Sequence, residues 1–144
     1  MDKKNLLLSI GKLFCLRSVL YNSFDTTPLG VTLNPTQIQV LMFTWLYPEP
    51  TMLFLSREVG IEKGSLTSVT DTLEALGLVR RVRHANDRRS FIVRPTPEGV
   101  EMAEKLAKMF DSHLDSMFDV LSENDRKDFV QSASTLSRLV SLIG

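Results

Sequence analysis

The chain has 144 residues, 43% hydrophobic and 24% charged, with 17 Lys and Arg side chains against 17 Asp and Glu. That length and balance fit one domain, or one domain with an extension, and exclude a disordered or low-complexity chain. The neutral total conceals an uneven layout: residues 57–94 carry eight basic and five acidic side chains, and residues 95–144 carry five basic and nine acidic ones.

The opening MDKKNLLLSIGKLF holds a short apolar run broken by Lys12 and Arg17, and no small-residue cleavage site follows, so no secretory leader is expected. No stretch reaches membrane-spanning length. Cys15 is the single cysteine, which excludes an internal disulfide and fits a reducing compartment, with cytoplasm the expected location.

In chain order, Leu6, Ile10, Leu13, Phe14, Leu20, Tyr21 and Phe24 recur at helical spacing and predict an amphipathic helix over 4–24, broken by TTPLG. Asn34, Pro35 and Gln37 form a helix start: Asn caps free N–H groups, Pro suits the first turn, and Gln at the third position reaches back. That helix is expected to run to Tyr47, where PEP stops it. A short helix follows over Met52 to Val59, ended by Gly60.

Residues 61–79, IEKGSLTSVTDTLEALGLV, predict a helix with Ile61, Leu66, Val69, Leu73 and Leu76 on one face and Gly64, Ser65, Thr67, Ser68, Asp71 and Thr72 on the other. Gly77 ends it. A short helix, a tight turn and a longer helix with small polar side chains outward make a helix-turn-helix, whose hydroxyls allow close approach to base edges. A solvent-facing helix surface is the plain alternative.

LVRRVR and RSFIVR then alternate apolar with charged residues and predict two strands, joined by the turn chemistry of HAND. A hairpin placed there is a wing. Arg80, Arg81, Arg83, Arg88, Arg89 and Arg94, opposed locally by Asp87 alone, are expected on its outer face and tip, toward phosphate and the minor groove.

Thr96 caps the next helix with Pro97 at its first position, and Met102, Leu106, Met109, Phe110, Leu114, Met117, Phe118 and Leu121 form an apolar stripe. Ser122 with Asp125 marks the last helix, whose Phe129, Ala133, Leu136, Val140 and Ile143 lie close to a heptad seam. The first and last two helices hold more apolar face than the wing lobe can cover, so a homodimer is expected. An ordinary monomeric helical core is the alternative.

GSLTSVTDTLEALGLVRR, NDRRS and PTPEG together resemble the MarR (multiple antibiotic resistance regulator) family of dimeric winged-helix transcription factors, through motifs over 34–99. The resemblance implies a mainly α fold with a small β-hairpin wing: an N-terminal dimerisation helix and linker over 1–33, a winged helix-turn-helix over 34–99, and C-terminal dimerisation helices over 100–144. It implies binding of double-stranded DNA at a pseudo-palindromic site, with repression more expected than activation. The family's wing pattern D-x-R falls on Asp87 and Arg89: Arg89 would enter the minor groove, Arg88 assist, and Asp87 brace the arginines through a charge-assisted pair. Family members often carry Arg or Lys on the recognition face, where this chain has Ser68 and Thr72, and Pro95 replaces a usual apolar residue. Binding is therefore expected to lean on the wing, including Arg83, with Lys63 and Arg57 as secondary contacts and Ser65, Thr67, Ser68 and Thr72 at bases or phosphates. Asp71 would accept from a cytosine amino group or hold a nearby Arg.

The same resemblance implies a cleft for a small phenolic or lipophilic ligand, which Phe14, Phe43, Trp45, Met52, Phe54 and Met109 could line, although core packing explains each. Some branches carry a reactive cysteine near Cys15. Only Lys12 and Arg17 could activate that thiol, and a buried inert thiol is the plainer reading. His84 and His113 are the only histidines and neither has metal-ligand spacing. No nucleophile elbow or phosphate-cradling Gly loop occurs, so no enzyme, metal or cofactor is expected. A winged helix used only to bind an acidic protein partner is the remaining alternative.

Overall fold

A computed structural model of the chain describes residues 2–143. Helix α1 (Lys3–Asn22) starts at Asp2, whose carboxylate accepts the Lys4 N–H at 3.0 Å. It ends before Phe24, which leaves the helix and packs against the core. A 3-10 turn over Thr27–Leu29 follows, and Gly30 (φ 82°) turns the chain. The buried Thr26 hydroxyl accepts the Leu33 N–H at 2.8 Å and fixes this connection.

Helix α2 (Pro35–Leu46) has a complete capping box: the Asn34 side chain accepts the Gln37 N–H and the Gln37 side chain accepts the Asn34 N–H, both at 2.9 Å. Helix α3 (Met52–Val59) is capped by Thr51, which accepts the Phe54 N–H at 3.0 Å, and is closed by Gly60 in the left-handed region. Helix α4 (Lys63–Ala75) follows after the turn and buries Leu66, Thr70 and Leu73. The Thr70 hydroxyl donates to the Leu66 carbonyl at 2.8 Å, so its burial leaves no polar group unsatisfied. Leu76, expected on the core face, is 43% exposed. It sits past the last helical residue, and once Gly77 redirects the chain, Leu78 fills the core position instead.

Strands β1 (Val79–Arg83) and β2 (Phe91–Pro95) pair antiparallel, with Arg81 opposite Val93 and Arg80 opposite Arg94. The connection is longer than HAND and extends to Ser90, whose carbonyl accepts the His84 N–H at 2.9 Å. A third short piece joins this sheet: Thr51 bridges Ile92, and the Pro50 carbonyl accepts the Val93 N–H at 2.9 Å. Two residues are too few for a periodic signal. Ile38 and Leu41 of α2, Leu55 and Val59 of α3, Leu66 and Leu73 of α4, Val79, Val93 and Leu106 form the core. Arg17 locks α1 onto it, donating to the Gln39 side chain and to the Val59 carbonyl that closes α3.

Helix α5 (Pro97–Phe118) starts at Thr96, whose hydroxyl accepts the Gly99 N–H at 3.0 Å and donates to the Gly77 carbonyl at 2.6 Å. The chain divides into two compact units, Met1–Ala107 and Lys108–Gly144. The second contains the end of α5 and helix α6 (Glu123–Ile143), which starts where Ser122 accepts the Asp125 N–H at 3.1 Å. Phe118 and Phe129 meet edge to face with centroids 5.0 Å apart. Neither α1 nor α6 has a buried residue.

Candidate nucleic-acid interface

Helix α4 and the hairpin enclose an open groove of about 550 Å³, lined by Lys63 and Thr67 on one side and by Arg81, Asp87, Arg89 and Phe91 on the other. Of the residues expected to contact DNA or brace the wing, Lys63, Thr67, Arg89 and Asp87 thus converge on one concavity. Met52, expected in a ligand cleft, lines this groove as well. Ser65, Ser68 and Thr72 are exposed on α4, and Arg57 is exposed in the last turn of α3.

The hydroxyls are not equivalent. Thr67 donates to the Lys63 carbonyl at 3.0 Å and Thr72 to the Ser68 carbonyl at 3.1 Å, so each presents only acceptor lone pairs outward. Donation from this face falls to Ser65, Ser68 and Lys63. Lys63 opens α4, where free N–H groups add positive potential.

The six arginines divide into three sets, against the expectation that all face outward. Strand alternation places Arg81 on the face of Val79 and Val93, toward α4, where its Nε and Nη2 donate to Glu74 at 3.0 and 2.7 Å, Nη2 also reaches Asp71, and its backbone N–H meets Glu74 at 3.0 Å. Burial alone would lower the guanidinium pKa, but the hydrogen bonds and charges of Glu74 and Asp71 outweigh it and hold it raised. Asp71 is therefore the partner of an arginine, one of its two expected roles. Arg80 and Arg94 occupy the opposite face at the hairpin base, and Arg94 pairs with Glu49, which holds a left-handed φ of 52°.

Arg83, Arg88 and Arg89 remain at the tip, and no acidic side chain among the described residues pairs with them. Arg83 stacks 5.2 Å above the Phe91 ring and donates to the Arg88 carbonyl at 2.7 Å, which holds the tip from below. Asp87 braces the wing differently from the expected ion pair: its carboxylate accepts the Arg89 N–H at 3.0 Å, and its carbonyl accepts the Ser90 N–H at 3.0 Å. Two residues of separation suit an Asx turn, which shapes backbone and leaves the Arg88 and Arg89 guanidinium groups unneutralised. His84 accepts the Asn86 N–H at 3.1 Å in the same turn. Sequence reading missed Phe91 and Glu74, although period-two alternation places Phe91 beside Arg83 and Arg81 toward α4.

Replacing Arg81 by Met should leave the Glu74 and Asp71 carboxylates facing each other without a cation. We expect a loss of about 1–3 kcal/mol in a urea melt with unchanged slope, and increased exchange of the β1 amides. A melt coinciding with wild type would show that the triad does not join wing to helix.

The residues expected to line a ligand cleft lie on several elements. Phe43 and Phe54 pack against the core and meet Tyr47 edge to face at 5.9 and 4.8 Å. Trp45 is half-buried, Phe14 is 69% exposed on α1, and Met109 belongs to the second compact unit. Cys15 is exposed, contrary to the buried thiol expected, and Arg17 is committed to Gln39 and Val59. No helix among the described residues is long and apolar enough to cross a membrane, and no group of three or more His, Cys, Asp or Glu among them could hold a metal ion.

Residues 33–91 match the MarR family model. The HTH-type transcriptional regulator FarR of Neisseria gonorrhoeae is 30% identical over 122 residues, covering 83% of this chain and 82% of that one. Among solved structures, the transcriptional regulator BldR from Sulfolobus solfataricus superimposes with a TM-score of 0.73 at 26% identity, covering 95% of this chain and 96% of BldR. Streptococcus pneumoniae FabT in complex with DNA shares the fold, with a TM-score of 0.68 at 17% identity over 99% of this chain and 100% of FabT. A helix-turn-helix, a wing with unpaired tip arginines and a relative of this identity over most of both chains lead to one assignment: the chain belongs to the MarR family of transcriptional regulators.

Proposed function

We propose that the chain binds double-stranded DNA sequence-specifically as a homodimer and acts as a cytoplasmic repressor. The observation that carries this reading is the pairing, across one groove, of Lys63 and Thr67 of α4 with Arg89 of the wing tip, which has no acidic partner among the described residues. In that arrangement α4 enters the major groove with Ser65 and Ser68 as donors and Thr67 and Thr72 as acceptors, while Arg88 and Arg89 lie along the flanking minor groove. Arg83, Lys63 and Arg57 contribute phosphate contacts. FabT, with the same fold, has been solved in complex with DNA.

Dimerisation through residues 1–33 and 100–144 is supported by the apolar surface they leave in water. Leu7 at 70% and Phe14 on α1, and Val130, Val140 and Leu142 on α6, are exposed beyond what a monomer's helices carry without cost. Two copies present two copies of α4, so the preferred site is pseudo-palindromic with half-sites about 10 base pairs apart or a multiple of that. Repression needs only promoter occupancy, without added surface for contacting polymerase. Release by a small lipophilic or phenolic ligand requires that it bind the two helix spacings with different affinity. Oxidation of the exposed Cys15 is the other proposed means of release.

The decisive measurement is DNA affinity against salt. A dimer neutralising about six phosphates should show a log-log slope near −5, at about −0.9 per phosphate. A flat dependence, or tight binding to an acidic protein with none to duplex DNA, would overturn this reading.

A further inference from the structure

Arg17 ties the first helix to the turn from which α4 starts. Helix α1 buries none of its 20 residues, so non-directional apolar packing fixes its tilt on the lobe only loosely, with Tyr21 and Phe24 packed at its C-terminal end. Directional bonds come from Arg17. Its Nη2 donates to Gln39 Oε1 of α2 at 2.5 Å and also to the carbonyl of Val59, the last residue of α3. Its Nη1 lies against Gly60, where an added Cβ would sit 3.5 Å away. One planar guanidinium thus bridges α1, α2 and α3. Burial pushes the Tyr21 phenol up, and the charge of Arg17, one turn back, offsets part of that rise.

Each acceptor gains from this donor. Gln39 is buried, and a buried amide oxygen is costly unless bonded. In the cap of α3, the Ser56 carbonyl accepts the Gly60 and Ile61 N–H groups at 3.0 Å and the Arg57 carbonyl accepts the Gly60 N–H at 3.2 Å, while the Val59 carbonyl is taken by Arg17. A cation there also meets the negative end of the α3 dipole. Val59 stands four residues before Lys63, which opens α4, and Gly60 between them is left-handed. The guanidinium therefore grips the helix-turn-helix at its turn.

The consequence rests on the DNA-binding dimer proposed above, in which α1 belongs to the seam between subunits and each α4 to one half-site. Leu7, Ile10 and Phe14, exposed on α1, precede Arg17 along the helix, so the clamp stands between that apolar surface and the turn. Freedom at the clamp becomes freedom in the distance between the two α4 helices. One base pair is about 3.4 Å and about a tenth of a helical turn, so a rigid pair of lobes fits one half-site spacing and a loosened pair fits several. We propose that Arg17 is a positioning residue that fixes the separation of the two α4 helices and thereby sets the half-site spacing the protein selects.

Duplexes carrying the site recovered by binding-site selection, with one base pair inserted at or removed from its centre, test this with the full chain. Wild type should bind the altered duplexes about tenfold more weakly, as for one lost base contact, and Arg17→Met should cut that penalty to about twofold. Arg17→Lys, a point charge without the planar fork, should fall between them. Arg17→Met also orphans the Gln39 amide and lowers the melt. Adding Gln39→Met removes the orphan and should restore the melt while the tolerance of spacing persists, which a purely structural role would not produce. Arg89→Ala should weaken all spacings alike. A wild type indifferent to spacing, or clamp variants that keep the full penalty, would overturn the proposal and leave DNA binding standing. Absence of binding to any duplex, or binding as a monomer, would instead remove the functional reading and this proposal with it.

Discussion

Gly99→Ala should lower the thermal midpoint by roughly 10 °C, the largest stability effect expected of any single methyl group added to this chain. A Cβ at position 99 would lie 1.8 Å from the Leu78 carbonyl oxygen and 2.9 Å from its carbon. Both are backbone atoms, so no rotamer change relieves the overlap. The same carbonyl accepts the Thr96 N–H at 3.0 Å, and Thr96 holds the Gly77 carbonyl through its hydroxyl. The first turn of α5 must therefore part from the segment that joins α4 to β1, at about 3 kcal/mol or more. Gly64→Ala is the internal control. Its Cβ would meet nothing within 4 Å and it lies within α4, so the same change there should stabilise by about 0.5–1 kcal/mol. Parallel melts of the two variants decide the matter: coincident midpoints for Gly99→Ala and wild type would show that α5 does not approach Leu78 so closely.

Arg89→Ala should abolish most DNA affinity while leaving the melt unchanged. Its side chain has no ion-pair partner among the described residues, and the Asp87 turn that positions it uses only the Arg89 backbone N–H, which alanine retains. In the proposed dimer, removing one charge-assisted hydrogen bond of about 2 kcal/mol from each of two subunits would cost about 4 kcal/mol, or nearly a thousandfold in Kd. The salt slope should also become shallower by about 0.9 for each phosphate no longer neutralised. Ser68→Ala should act in another way, changing preference among sequences with a modest change in mean affinity, because in the proposed docking a serine on α4 would read bases where the wing reads charge. Binding-site selection with both variants separates these roles. Equal, unselective losses from the two substitutions would contradict the division of labour between helix and wing.

The helix boundaries, the turn and the hairpin were legible in the sequence because each depends on partners within a few residues. Asn34 with Gln37, Thr96 with Gly99, Ser122 with Asp125 and the left-handed Gly60 and Gly77 act across one helical turn, and strand alternation needs only neighbours. Family membership was legible for the same reason, since its motifs are local. Which arginines are free to meet an anion was not. That depends on Arg81 reaching Asp71 ten residues back, Arg94 reaching Glu49 across 45, and Arg17 reaching Val59 across 42. Charge counts along the chain treat all six hairpin arginines alike. Only packing the strands on α4, and the Pro50–Thr51 connection against β2, commits Arg81 and Arg94 to carboxylates and leaves Arg88 and Arg89 at the tip without one among the described residues. Gly99 belongs with them, because its lack of a side chain answers to a carbonyl 21 residues away that lies against it only in the folded chain.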